Sequence, residues 1–108
     1  MNVTMPQPVI DYFAATNAHD IASMSAAFTR DAVVKDEGRE HRGSAAILEW
    51  ITKTIERYDY KVDPIESSRL GKKVAVLVSI RGTFPGSPIT LQYAFVLEGQ
   101  RLARLEIG

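Results

Sequence analysis

Apolar positions recur at three- and four-residue steps through the first half of the chain and at two-residue steps through the second. Val9, Ile10, Phe13, Ala14 and Asn17 fall on one helical stripe, with Tyr12 beside it. Pro8 suits the opening turn of that helix. The pattern breaks at Asn17-Ala18-His19-Asp20, where Asp20 is placed to cap a second helix with the stripe Ile21, Met24, Ser25 and Phe28. That helix is expected to stop near Thr29-Arg30-Asp31. A short strand follows from Ala32 to Glu37. Gly38 marks a turn, and Glu40-His41-Arg42 is the returning strand. Gly43-Ser44 opens a third helix, with Ser44 as a cap and Ile47, Trp50, Ile51, Thr54, Ile55 and Tyr58 as its stripe.

From Tyr60 onward the period changes to two. Tyr60 to Leu70 reads as extended, with Pro64 pointing to an edge or a bulge. Val74, Val76, Val78 and Ile80 share one face of the next strand. After the turn Pro85-Gly86-Ser87-Pro88, Ile89, Leu91, Tyr93, Phe95 and Leu97 share one face of another. Arg101 to Ile107 is the last strand. Short turns make these strands antiparallel neighbours. The prediction is an α+β fold over residues 1–108 as a single domain. Three N-terminal helices cover one side of a strongly curved, mainly antiparallel sheet, and the concave space left between them is a ligand pocket.

Composition narrows the function. The chain has 108 residues, 13 Lys+Arg and 13 Asp+Glu. A net charge of zero provides no general field for a phosphate backbone, so no nucleic-acid partner is expected. Zero cysteines exclude a disulfide scaffold, a Cys-ligated zinc and a thiol nucleophile. Two histidines offer little for a metal site, and neither a metal nor a cofactor is expected. No apolar run reaches membrane length, and MNVTMPQPV lacks the pattern of a signal peptide, so the expectation is a cytoplasmic protein with no membrane partner.

Two helices, then Phe28-Thr29-Arg30-Asp31-Ala32-Val33-Val34, Asp36-Glu37-Gly38 and Arg42-Gly43-Ser44-Ala45-Ala46-Ile47 resemble the NTF2-like superfamily, and within it the SnoaL-like group. The resemblance spans essentially the whole chain. It implies a cone-shaped fold, a small-molecule pocket and a homodimer formed through the outer sheet face. On this chain that face carries Ser79, Arg81, Thr83, Thr90, Gln92 and Arg104. In the ketosteroid isomerase branch, a tyrosine on the first helix and a general-base aspartate at the end of the first strand do the chemistry. Tyr12 and Asp36 match those positions. The late-strand aspartic acid of that branch is replaced here by Tyr93, a departure that argues against steroid-type isomerisation.

Asp36 is the lead catalytic candidate. It shares strand parity with Ala32 and Val34, and burial on that side makes a carboxylate a stronger base. Alternation sends Glu37 to the other face, as a solvated turn charge. His41 depends on register. A loop of two or four residues sets it across from Asp36 as an acid–base pair, whereas the loop Gly38-Arg39-Glu40 pairs Asp36 with Arg42 and Glu37 with His41. Tyr12 is a candidate oxyanion donor. Tyr93, Trp50, Phe13, Phe28 and Tyr58 are candidates for the pocket wall, with core packing as their alternative. Two functions remain open: acid–base chemistry without a cofactor on a small apolar metabolite (isomerase, cyclase or hydratase type), or a non-catalytic module for ligand binding or protein interaction.

Overall fold

A computed structural model describes residues 4–108; residues 1–3 of the expected domain lie outside the described residues. Helices α1 (Gln7–Asn17) and α2 (Ile21–Ala26) precede strands β1 (Phe28–Asp36) and β2 (Arg39–Arg42). Helix α3 (Gly43–Tyr58) leads into β3 (Lys61–Leu70), β4 (Lys73–Arg81), β5 (Ile89–Glu98) and β6 (Arg101–Ile107). The strands form one curled sheet in the order β2-β1-β6-β5-β4-β3. Strands β3 to β6 are the expected antiparallel meander, while β1 joins β6 in parallel and makes the sheet mixed. No helix among the described residues is long and apolar enough to cross a membrane.

The period-two pattern buries the faces it predicted: Val74, Val76, Val78 and Ile80 on β4, and Tyr93, Phe95 and Leu97 on β5. Helix α3 packs against β1 and β2 and buries Ile47, Trp50, Ile51 and Thr54, four of the six residues of its predicted stripe. Aromatic edges knit α1 to the sheet. The Tyr12 ring lies 5.4 Å from that of Phe28 and 6.0 Å from that of Phe95, both edge-on. Asp20 caps α2 as expected, accepting from the Ser23 N–H at 3.1 Å. Pro64 marks a register shift on an edge strand.

The helical half differs in phase. Helix α1 buries Val9, Tyr12, Phe13 and Thr16, while Ile10 and Ala14 face out. Both sets have helical spacing, and the larger apolar area of the Tyr12 ring decides between them. Helix α2 ends at Ala26, and Phe28 begins a strand four residues before the expected start at Ala32. Sheet pairing takes over there: the Leu102 N–H donates to the Ala27 carbonyl at 2.9 Å. Ser44 does not cap α3. The chain enters from β2 through Gly43 at φ 83°, and the helix start has no side-chain cap.

Two sets of contacts hold the strand that follows α3. Asn17 donates to the Val62 carbonyl at 2.9 Å and accepts from its N–H at 2.8 Å, standing in for a neighbouring strand. His19 Nε2 donates to the Tyr60 carbonyl at 2.9 Å. The Tyr58 carbonyl, at the end of α3, accepts from the Thr83 N–H at 2.7 Å and from its hydroxyl at 3.1 Å. Gly82 permits this approach, because a Cβ there would lie 2.5 Å from the Tyr58 carbonyl oxygen.

Candidate functional site

A cavity of about 260 Å³ opens between α3, the end of β1 and strands β4 to β6. It is slightly smaller than common ligand pockets, which begin at about 300 Å³. Its walls grade from buried Trp50, Tyr60 and Tyr93 to half-exposed Tyr58 and Phe84 and exposed Ile89.

Asp36 lines this cavity, as its strand parity predicted. Its Oδ2 accepts a hydrogen bond from Trp50 Nε1 at 3.0 Å. Burial raises the carboxyl above its ordinary value, and the Trp50 N–H works against that rise. The result is a half-buried carboxylate with one neutral side-chain donor.

Neither hairpin register expected from the sequence forms. Asp36 pairs with Arg39, Lys35 with Glu40 and Val34 with His41. The two loop residues are Glu37 and Gly38, at φ 52° and 76°. Two successive positive φ values are those of a type I′ turn, whose twist suits a two-residue hairpin and which favours glycine at its second position. Gly38 therefore takes the second loop position, not the first, and every pairing moves with it. His41 therefore faces Val34 and lies diagonal to Asp36. Its ring is 6.0 Å from Trp50, and it does not line the cavity.

The turn also changes the place of Glu37. Positive φ breaks the alternation that would have sent it away, and Glu37 lines the cavity, with Oε1 accepting from the Tyr58 hydroxyl at 2.6 Å. Tyr12, Phe13 and Phe28 do not line the cavity. They pack in the aromatic core with Phe95, because ring burial there outweighs exposure to the hollow. Burial pushes the Tyr12 phenol well above its ordinary pKa. Tyr93, Trp50 and Tyr58 do line the cavity.

Tyr60 belongs to the same wall and was not singled out from the sequence. Its signal was there: Tyr60 and Val62 are buried while Lys61 and Asp63 are exposed, a period of two. Burial pushes its phenol up to about 12, with the Thr54 hydroxyl opposing, and burial drives the Tyr93 phenol well up as well. Both hydroxyls stay protonated at neutral pH and can donate to an oxygen acceptor. The arrangement therefore joins a half-buried carboxylate, Asp36, and the more exposed Glu37 to neutral donors across a mostly apolar cavity. Among the described residues, no group of three or more His, Cys, Asp or Glu is arranged to hold a metal ion.

A model of the SnoaL-like domain matches residues 9–101. None of the curated proteins matches the sequence. A Sinorhizobium meliloti protein provisionally assigned as a polyketide cyclase is 42% identical, with 96% of this chain and 95% of that one covered and a TM-score of 0.93. An NTF2-like protein of unknown function from Cytophaga hutchinsonii superposes with a TM-score of 0.81 at 15% identity, covering 100% of this chain and 91% of that one. The epoxide hydrolase/cyclase-like enzyme SalBIII, of pyran ring formation in the polyether salinomycin, gives 0.83 at 22% identity, covering 94% and 86%. The last two likenesses concern the fold alone.

Proposed function

Because the chain belongs to the SnoaL-like domain family, we propose that the cavity binds a small, largely apolar organic molecule on which Asp36 acts as general base. The reaction is of the isomerase, cyclase or hydratase type, with the cytoplasm as its compartment. The observation that carries this reading is the half-buried Asp36 carboxyl, raised by desolvation inside an aromatic cavity. Asp36 takes a proton from carbon beside a carbonyl, and a Tyr60 or Tyr93 hydroxyl donates to the oxygen on which charge develops. The same carboxyl then returns the proton. The role first assigned to Tyr12 passes to these two phenols because they line the cavity. The provisional cyclase assignment of the 42% identical Sinorhizobium meliloti protein supports the reaction class.

Cyclohexanone in D2O tests this reading by proton NMR. The wild-type protein is expected to speed deuterium uptake beside the carbonyl, and Asp36→Asn to lose roughly 100-fold or more of that acceleration. Equal exchange in the variant removes Asp36 as base. Binding of the ketone without exchange leaves the non-catalytic module.

The same reading pairs two copies through the outer sheet face. Half-buried Ala75, Leu77, Ala94 and Val96 lie there, near a groove of about 500 Å³ that Arg104 and Glu106 also line. Such a surface suits a two-fold interface better than open water.

A further inference from the structure

The chain is charge-balanced overall, with 13 basic and 13 acidic residues, but its cavity is not. Asp36 and Glu37 line it, and no Lys or Arg does. Among the described residues Asp36 has no ion-pair partner, and its side-chain donor is the neutral Trp50 N–H. Five of the chain's nine aromatic side chains, Trp50, Tyr58, Tyr60, Phe84 and Tyr93, complete the wall. An aromatic face attracts positive charge through its quadrupole, most strongly where water is excluded. A half-buried carboxylate without a cation is stabilised by gaining one. The chain already makes one such contact at the edge of the site, where the Arg57 guanidinium lies 5.2 Å from the Tyr58 ring centroid. Arg57 and His41 touch the wall but do not line the cavity.

We infer that the cavity is a receptor for a small organic cation, an alkylammonium group seated among these rings against the Asp36 carboxylate. The inference rests on the cavity being the binding site and narrows the class of its ligand. It holds whether or not Asp36 also moves a proton. Alkyl groups on the nitrogen satisfy the apolar walls, and the charge satisfies the two carboxylates. Anionic ligands are disfavoured by both.

Choline and 3,3-dimethylbutan-1-ol separate charge from shape, since the alcohol replaces the cationic nitrogen with carbon. Trp50 is the only tryptophan and lines the cavity, so its fluorescence reports occupancy, with ligand-detected NMR as a second readout. Choline is expected to bind roughly tenfold or more tightly than the alcohol. Asp36→Asn should reduce the difference most, and Glu37→Gln should reduce it less. Thermal unfolding checks that each variant is folded. Equal binding of both compounds overturns the cation inference and leaves the pocket reading intact. Binding of neither overturns the inference and counts against the cavity as a binding site. A choline preference unchanged in both variants overturns the assignment to these carboxylates.

Discussion

At Asp36 two demands oppose each other. Desolvation holds the carboxyl above its ordinary value of 3.8, and the Trp50 hydrogen bond works against that rise. An acid whose folded pKa exceeds its unfolded one binds more protons when folded, in the window between the two values. Stability therefore rises as pH falls through the folded pKa toward 3.8, and that increment is missing at neutral pH. Asp36→Asn removes the ionisation and can still accept from Trp50, so its Tm is expected to exceed that of wild type at neutral pH, with the gap closing on acidification. Thermal melts across that range check this, and a variant less stable at neutral pH contradicts it. The position was legible in the sequence because parity with Ala32 and Val34 settles the face of a strand residue. The partnership with Trp50 was not, because it joins two elements whose relative rotation no local pattern encodes.

The hairpin and the α3–β4 junction set the site at the scale of elements. Register decides whether Asp36 meets His41, Arg42 or Arg39, and it is the loop that chooses: Glu37 and Gly38 adopt the positive φ pair, and Asp36 pairs with Arg39, two residues from His41 and three from Arg42. Faces within β4 and β5 were readable because side chains alternate along an extended strand. The α1 stripe was not, because two sets of residues had helical spacing and only packing separated them. At the far wall, Gly82 lets Thr83 cap the Tyr58 carbonyl beside the cavity. Gly82→Ala forces a methyl against that backbone oxygen and is expected to destabilise the fold by about 1–3 kcal/mol. Chemical denaturation measures the loss, and Trp50 fluorescence should report the displaced wall. Wild-type stability in the variant contradicts the close approach.

As a whole molecule the chain sets an apolar, aromatic hollow on one side of the sheet and a half-covered apolar strip on the other. Neutral net charge leaves association of the outer faces unopposed by long-range repulsion. Light scattering is expected to give about twice the monomer mass of 12.0 kDa, and Ala94→Glu, in the middle of that face, should return it to the monomer. A monomeric wild type removes the interface. The fold class was legible from element order and periodicity together. The cavity's contents were legible only in part, since Tyr60 and Glu37 enter it through the α3–β3 junction and a strained turn. The chemistry of the cavity depends most on how Asp36 is ionised, and a carbon-13 NMR titration of its carboxyl reads that directly. A midpoint clearly above 3.8 is predicted, and a midpoint at or below it would contradict the account.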